Sequence, residues 1–381
     1  MPTLEDAFSA RFGSAPERIF FAPGRLELGG NHTDHQHGCV IAAAVTDGMH
    51  AAVRRTSAPE LRLTSEGFGD VTVSLCGTAP RDCERGTAAA LVRGVLECFM
   101  LRGASIGGLD IYVRSQLAPG SGLSSSAAFE ILIARCIDGM FALGLSALEL
   151  AAIGQRAENI HFGKPCGLMD QLACAEGGIS FMDFASEDAP QTTRIDFDFA
   201  SKGCALCLVD SFSDHCGSTQ DYSAITCEMA SAARFFGKKA LRDVPEDALL
   251  PALPRLRAEI GDRAVLRAMH FFGENRRVIA QAKALAAGNA DKFLRLAAES
   301  GRSSWMYLQN VVTPGAAYIQ RLSLTLAVCQ ELLGSRGAVR VHGGGFGGCA
   351  LAFVPRDMLA DFRAGVLAAL GEGAFREVTV A

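Results

Sequence analysis

The sequence predicts a protein of the α+β class with two domains. Stretches in which apolar and polar residues alternate, as in half-buried strands, are interspersed with long stretches of helical periodicity. The two patterns do not alternate with the regularity of repeated βαβ units, which argues against a doubly wound parallel sheet. The chain has 381 residues, enough for two hydrophobic cores.

Strand patterns dominate the N-terminal half of the chain. A short helix is predicted at residues 3–12 and a strand at residues 19–28, which leads into a glycine-containing turn and a polar loop. Strand-like alternation at residues 49–75 is followed by a helix at 87–103 and a strand at 109–117. A loop of glycine and serine then opens a further helix.

Helical patterns dominate the C-terminal half. They follow a central apolar strand at residues 204–212, and two strands and a helix close the chain. The segment at residues 185–202 is polar and rich in turn residues. We therefore predict one domain at residues 1–195 and a second at residues 196–381.

Composition excludes several classes of function. The net charge of −5 does not favour a nucleic-acid partner, which selects a basic surface. The 13 cysteines are scattered, mostly in apolar runs, and the close pair Cys204 and Cys207 has no second pair to complete a zinc site. We predict structural thiols and no disulfide framework.

The N-terminus and the hydropathy predict a cytoplasmic protein. The first residues, MPTLEDAFSARFG, lack the basic start and apolar core of a signal peptide. Apolar runs are too short to span a membrane. Neither a membrane nor an obligate protein partner is expected.

The strongest local signal is the serine loop, which we define as residues 119–128 (PGSGLSSSAA). It follows a strand and opens a helix, so glycines and helix N-terminal amides would face a phosphate group. It lacks the lysine of a P-loop. The alternative is a serine N-cap on an ordinary helix.

The glycine loop, residues 343–348 (GGGFGG), has five glycines in six residues and lies between two predicted strands. Such a loop indicates positive φ angles or close approach to a ligand, although a tight hairpin is an alternative. Together with the serine loop it favours a nucleotide or phosphate site.

The polar loop, residues 22–38, is dense in side chains that both donate and accept hydrogen bonds, which suits a polyhydroxylated ligand. The alternative is a metal site, although cysteines and helical histidine spacing are missing. Its ligands would come from Asn31, His32, Asp34, His35 and His37.

Two carboxylates, Glu158 and Asp170, lie in the middle of the chain. Asp170 is isolated in an apolar stretch and Glu158 lies on a helical pattern. Taken alone, Asp170 is typical of an N-cap and Glu158 of a solvated surface position.

Together these segments resemble the galactokinase branch of the GHMP kinases (galactokinase, homoserine, mevalonate and phosphomevalonate kinases). The resemblance covers nearly the whole chain. It rests on APGRLELGGNHTDHQHG, PGSGLSSSAAFE, AENIHFGKPCGLMDQ and VHGGGFGGC, and on DYSAITCEMASAARFFGKKALRDV and MHFFGENRR, which are closer to galactokinases than to the wider superfamily.

This resemblance implies an N-terminal ribosomal S5 domain 2-like domain and a C-terminal ferredoxin-like domain with extra helices. The active site would lie between them. The implied reaction is ATP-dependent phosphorylation of the anomeric hydroxyl of galactose, with Mg²⁺, giving galactose 1-phosphate and ADP. The implied partners are a small-molecule sugar and ATP.

The resemblance also implies individual roles. Asp170 matches the catalytic aspartate and Arg25 the arginine that faces it across the sugar O1, while Ser126 and Glu158 match the magnesium ligands. Sugar-binding positions are matched by Asn31, His32, Asp34, Gly167 and Tyr222. ATP-binding positions are matched by Gly120, Ser121, Gly122, Leu123, Ser124, Ser125, Ser126, Gly344 and Gly345.

Four positions depart from the family pattern: Asn31 replaces Glu, His35 replaces Tyr, Ile225 replaces Arg and His342 replaces Thr. Asn31 is expected to remove a negative charge near O6 of the sugar, which would tolerate a C6 carboxylate. Galacturonate or another galacto-configured sugar is therefore a second candidate acceptor. A catalytically silent sugar sensor is disfavoured by the retained serine loop and carboxylates, and a kinase for a non-sugar alcohol is disfavoured by the polar loop.

Overall fold

The structure, a computed structural model, describes residues 2–117, 122–186, 189–213, 219–315 and 318–381. Within these residues the chain forms two β-sheets with helices packed on them. None of the described helices combines the length and the hydropathy needed to cross a lipid bilayer. The described cysteines are free thiols, and most of them are buried.

The first sheet has seven strands among the described residues. They are β1 (Arg18–Gly29), β2 (Cys39–Thr56), β3 (Glu60–Ser65), β4 (Gly69–Ser74), β5 (Gly108–Ser115), β6 (Ile179–Asp183) and β7 (Gln191–Ile195). The strand order is β4-β3-β5-β2-β6-β7, and β1 also pairs with β2. Only the β3–β5 pair is parallel among these pairings. The 18-residue strand β2 thus joins β1, β5 and β6 in one scaffold.

The second sheet has the order β11-β8-β10-β9. Its strands are β8 (Cys204–Asp210), β9 (Ala338–Val341), β10 (Cys349–Pro355) and β11 (Phe375–Val378). All three pairings are antiparallel. If the four strands are numbered 1 to 4 along the chain, they lie side by side in the sheet in the order 4-1-3-2. Helices separate strand 1 from strand 2 and strand 3 from strand 4, which is the ferredoxin-like arrangement.

Eleven α-helices occur in the described residues. They are α1 (Leu4–Phe12), α2 (Ala88–Leu101), α3 (Ser125–Phe141), α4 (Ala147–Arg156), α5 (Met169–Glu176), α6 (Thr219–Phe235), α7 (Leu249–Ile260), α8 (Asp262–Ala286), α9 (Ala290–Ser303), α10 (Arg321–Leu333) and α11 (Leu359–Leu370). A π-helical turn (Ala157–Phe162) follows α4, and another (Ser304–Leu308) follows α9.

The largest hydrophobic cluster joins the first sheet to helices from both halves of the chain. Val278 and Leu285 of α8 and Phe293 of α9 are fully buried in the same cluster as the residues of β1 and β2. The α+β class is confirmed. The division of the chain at residue 195 stays a prediction.

Several local boundaries follow directly from sequence signals. Helix α1, predicted at residues 3–12, begins after Thr3, which forms a capping box with Asp6, and ends at Gly13, whose φ is 77°. Thr87 caps α2 through the backbone N–H of Ala90.

Other elements were not predicted. The polar segment that was expected to separate the domains contains the edge strand β7. This strand was not predicted because four of its five residues face solvent, so it has no apolar pattern. Helix α7 was missed because it contains Pro254, which normally disfavours a helix interior. The short strand β11 was missed as well.

Candidate active site

Arg25 and Asp170 form a two-pronged ion pair between the first sheet and α5. Arg25 Nε lies 2.8 Å from Asp170 Oδ1, and Nη2 lies 3.0 Å from Oδ2. The third donor, Nη1, binds the carbonyl oxygen of Gly122 at 2.6 Å. Arg25 itself is buried, but the Asp170 side chain is 32% exposed, so its carboxylate is accessible from outside.

The same carboxylate is bound by the serine loop. Ser124 Oγ donates to Asp170 Oδ2 at 2.5 Å. Ser124 precedes α3 but makes no side-chain cap, and its φ of 52° is in the left-handed region that non-glycine residues rarely adopt. Backbone strain of this kind costs about 1–3 kcal/mol and concentrates at functional sites. The alternative of an ordinary serine N-cap is therefore wrong for Ser124.

The charge on Asp170 is set by its contacts. Burial alone raises the pKa of this carboxyl, but the charge of Arg25 and the hydrogen bonds from Arg25 and Ser124 outweigh it and lower the pKa below the ordinary value. Asp170 is also in the first turn of α5, where the helix dipole favours an anion. The carboxylate is therefore ionised at neutral pH.

Glu158 lies in the π-helical turn after α4 and faces the start of α3. Its Oε1 accepts hydrogen bonds from Ser126 Oγ and Lys164 Nζ, both at 3.2 Å, and its Oε2 accepts from Gln171 Nε2 at 2.8 Å. Turns of this type often occur at functional sites. A hydroxyl and a carboxylate are the hard oxygen ligands that Mg²⁺ prefers, and Mg²⁺ at a nucleotide site needs one or two protein ligands besides phosphate. Ser126 and Glu158 therefore fit such an ion.

Asp34 and Gly167 are in direct contact at the edge of the polar loop. A Cβ on Gly167 would overlap the Asp34 carboxylate, so glycine is required there. Burial raises the pKa of Asp34, while His32 opposes this shift and Asp170 adds to it. Asp34 and Asp170 are thus close enough for their charges to interact.

His32 lies between the glycine loop and Tyr222. Its Nε2 donates to the carbonyl oxygen of Gly344 at 2.9 Å, which leaves Nδ1 to accept from His35 Nε2 at 3.4 Å. The rings of His32 and Tyr222 are stacked with centroids 6.4 Å apart. Burial, with His35 as a further cause, lowers the pKa of His32 to about 3, so the imidazole is neutral.

The glycine loop is held by side chains that approach it closely. A Cβ on Gly344 would overlap the Tyr222 ring, and one on Gly345, whose φ is 86°, would overlap Asn310. Tyr222 Oη donates to the Gly345 carbonyl oxygen at 2.8 Å, and Asn310 Nδ2 donates to that of Gly344 at 3.0 Å. The loop therefore contacts the predicted sugar-binding residues, and its assignment to ATP stays a prediction.

Asn31 is fully buried in a network of polar side chains. Its Nδ2 donates to Glu27 Oε1 at 3.1 Å and to the Gly343 carbonyl oxygen at 2.7 Å, and its Oδ1 accepts from Asn310 Nδ2 at 2.7 Å. Glu27 in turn pairs with the buried Arg340 at 2.6 Å. Asn31 itself is neutral, as expected, but it lies beside the Glu27 carboxylate, whose charge Arg340 balances; the expected tolerance of a C6 carboxylate stays a prediction.

Two other departures from the family pattern have different surroundings. His342 Nε2 accepts from the backbone N–H of Glu27 at 3.1 Å, and burial, Arg25 and Arg340 hold its pKa well below the ordinary value. Its Nδ1 lies against Gly122 of the serine loop. Ile225, by contrast, is fully buried in the apolar cluster of α6, α7 and α8.

Two side chains of helix α8 form hydrogen bonds with the backbone of the polar loop. His270 Nε2 donates to the carbonyl oxygen of Asn31 at 2.9 Å, and Glu274 Oε1 accepts from the backbone N–H of Gly30 at 3.2 Å. Both side chains are fully buried. They fix the backbone of the loop that carries His32 and Asp34.

Most of the predicted site residues are brought together. Leu123 is buried and its carbonyl oxygen accepts from the Arg25 backbone N–H at 3.1 Å, while Ser125 opens α3. Gly120 and Ser121 lie outside the described residues. Among the described residues, no group of three or more His, Cys, Asp or Glu side chains is arranged to hold a metal ion.

The sequence reasoning missed Lys164, Glu27 and Arg340. Lys164 lies between Glu158 and Asp170 within one of the motifs, so its position between two acidic residues was an available signal. Glu27 and Arg340 are 313 positions apart, and no local pattern links them.

Two family models match the N-terminal half. Residues 90–178 match the model of the GHMP kinases N terminal domain, and residues 6–55 match the galactokinase galactose-binding signature. The first range contains Ser124, Glu158 and Asp170, and the second contains Arg25 and the polar loop.

Solved structures match almost the whole chain. A Lactococcus lactis galactokinase complexed with galactose is 25% identical, with a TM-score of 0.85 over 99% of this chain and 97% of that chain. A Methanococcus jannaschii mevalonate kinase is 15% identical (TM-score 0.67, 96% and 98% covered), and a Streptococcus pneumoniae phosphomevalonate kinase is 11% identical (TM-score 0.64, 94% and 99% covered). The last two bear on the fold alone. The chain therefore contains a GHMP kinase N-terminal domain and the galactokinase galactose-binding signature, and it has the two-domain fold of ATP-dependent sugar and alcohol kinases.

Proposed function

We propose that this protein transfers the γ-phosphoryl group of ATP to the anomeric hydroxyl of galactose, giving galactose 1-phosphate and ADP. The observation that carries the proposal is the contact of Asp170 with both Arg25 and Ser124. It places an ionised, partly exposed carboxylate between the polar loop, within the galactose-binding signature, and the serine loop.

In this proposal Asp170 orients the anomeric hydroxyl and accepts its proton. An anomeric hydroxyl is more acidic than an ordinary alcohol, so a carboxylate of low pKa suffices as the base. Arg25 keeps the carboxylate ionised and in one orientation through its two contacts. Arg25 also ties Asp170 to the serine loop through Gly122, which fixes the acceptor relative to the phosphates.

The donor side depends on charge neutralisation, which is most of what phosphoryl transfer requires from a protein. The N-terminus of α3 and the serine loop would bind the ATP phosphates. Ser126 and Glu158 would hold Mg²⁺, which neutralises negative charge on the phosphates when it is bound. Gly120, Ser121, Gly344 and Gly345 remain proposed ATP contacts.

The sugar would be bound by Asp34, His32, Gly167 and Tyr222. Asp34 contacts Gly167 and interacts electrostatically with Asp170, and the ring of His32 stacks on that of Tyr222. Asn31 would contribute to sugar binding indirectly, because its hydrogen bond to the Gly343 carbonyl oxygen holds the polar loop against the glycine loop. Because Glu27 and Arg340 already form a neutral pair next to Asn31, the contacts do not single out a sugar with a C6 carboxylate.

The test is an ADP-release assay with Mg²⁺ and ATP across galactose, galacturonate, galactosamine, glucose and arabinose. We expect the highest kcat/KM with galactose, and a phosphate at C1 of the product by ³¹P NMR. Highest kcat/KM with galacturonate would change the acceptor but keep the reaction.

Two outcomes would overturn the proposal. Sugar binding without ADP release above background would favour a sugar sensor. Release with homoserine or mevalonate, and with no hexose, would favour a kinase for a non-sugar alcohol. A cytoplasmic location stays a prediction from the sequence.

A further inference from the structure

Lys164 is attached to the backbone of the proposed metal-binding turn. Its backbone N–H donates to the carbonyl oxygen of Glu158 at 3.1 Å, directly after Gly163, whose φ of 85° ends the π-helical turn. The main chain of Lys164 is therefore fixed. Its side chain is 60% exposed, so the ammonium group is free to move on its flexible stem.

The ammonium group of Lys164 binds Oε1 of Glu158, the oxygen that would be available to a metal ion. Oε2 of Glu158 is engaged by Gln171, while Oε1 faces both Ser126 Oγ and Lys164 Nζ at 3.2 Å. A divalent cation held by Ser126 and Glu158 would bind this same Oε1. Two cations on one carboxylate oxygen repel each other, so binding of the ion favours release of the ammonium group.

Lys164 is a second cation near Asp170, and its side chain, unlike that of Arg25, is exposed. Arg25 has all three of its nitrogen groups engaged, two with Asp170 and one with Gly122. Lys164 is not held in this way, and the charges of Glu158 and Asp170 both attract it. Released from Glu158, an ammonium group here lies within the site where the ATP phosphates would bring new negative charge.

On the basis of the proposed function, we propose that Lys164 is a phosphate-binding residue. It holds Glu158 in the free enzyme and moves to an ATP phosphate oxygen when a divalent cation replaces it on Glu158. A lysine acts as a point charge for phosphate and adapts its position more readily than an arginine. Lys164 thus exchanges one oxygen anion for another during substrate binding.

The exchange predicts effects of opposite sign for Lys164→Met. Metal binding to the nucleotide-free protein should become tighter by about two- to fivefold, because an exposed ammonium–carboxylate pair no longer competes. Binding of a non-hydrolysable ATP analogue with Mg²⁺ should become weaker by about tenfold, the effect of one lost charge-assisted hydrogen bond. A residue with a purely structural role would not strengthen one ligand and weaken the other.

The experiment combines two binding measurements on the full chain. Mn²⁺ is titrated into nucleotide-free protein and followed by water proton relaxation, and the ATP analogue is titrated with Mg²⁺ by calorimetry. Lys164→Arg, which keeps the cation, should bind the analogue within about threefold of wild type. Lys202→Met, at an exposed lysine, is the matched control and should change neither value.

The outcomes separate this inference from the proposed function. Unchanged or weaker Mn²⁺ binding in Lys164→Met would overturn the exchange, and unchanged binding of the analogue would overturn the phosphate contact. Neither measurement requires transfer to a sugar. If wild-type protein binds the analogue but phosphorylates no hexose, the proposed function fails while the Lys164 result stands by itself.

Discussion

Two charged residues of strand β1, Arg25 and Glu27, form ion pairs in different environments. Arg25 pairs with Asp170, whose side chain is 32% exposed, whereas Glu27 pairs with Arg340, and these two side chains are 3% and 0% exposed. The chemistry of the pairs is the same. Only the accessible pair can meet a substrate.

This difference in exposure shows that an ion pair contributes differently to stability and to chemistry. A buried pair gains little over apolar packing, but removing one partner leaves a charge without solvent or counter-ion. An accessible carboxylate can instead exchange its partners with a ligand. The Glu27–Arg340 pair therefore supports the position of β1 and the polar loop, and the Arg25–Asp170 pair is available for chemistry.

The buried pair should dominate stability. Arg340→Met leaves Glu27 without its cation, and we expect the free energy of unfolding to fall by about 3–5 kcal/mol. Arg336→Met removes the exposed pair with Asp357 and should cost less than about 1 kcal/mol. Urea unfolding of both variants measures the contrast, and equal losses would remove the distinction between the two kinds of pair.

A second carboxylate in the polar network around Asn31 should lower the free energy of unfolding. Asn31→Glu places one beside Glu27 in a buried site, so one of the two must be protonated at pH 7, which costs about 3 kcal/mol. In the double variant Glu27→Gln with Asn31→Glu, one carboxylate remains for Arg340 and at least half of the stability should return. Additive losses in urea unfolding would contradict this network.

The accessible pair should dominate turnover. Asp170→Asn removes the proton acceptor and should lower kcat by at least ~100-fold, with little change in binding of an ATP analogue. Glu176→Gln, at the other end of α5, is the control and should retain wild-type turnover. Steady-state kinetics with calorimetry measures both, and near-normal turnover of Asp170→Asn would exclude the role of this carboxylate.

The smallest effect concerns pH. Burial lowers the pKa of His35 to about 4 in the folded protein, below its unfolded value of about 6.5. The unfolded chain therefore binds more protons below pH 6.5, and stability falls as the pH falls through this range. From pH 7.5 to 5.5, wild type should lose about 1 kcal/mol more than His35→Gln. Equal losses in urea unfolding at the two pH values would show that His35 is not buried as a neutral group.

The sequence predicted those parts of the fold and site that depend on neighbouring residues. Helix α1 has its cap and its terminal glycine within a few residues, and Asp170 lies in a motif that resembles a known family. Glu27 and Arg340 meet only through the pairing of distant segments, so neither could be found locally. The left-handed conformation of Ser124 was not predicted either, because non-glycine residues rarely adopt it and no local pattern marks this serine for it.

The glycine at position 344 has a consequence for how the two sheets can move. Tyr222 lies where a side chain at this position would be, and Arg340, shortly before the glycine loop, binds Glu27 on β1. Separating the sheets here would leave the buried charges of Glu27 and Arg340 without their partners, at a cost of several kcal/mol. Separation of the two sheets is therefore opposed at this junction, whereas Asp170 and Lys164 lie where solvent reaches their side chains.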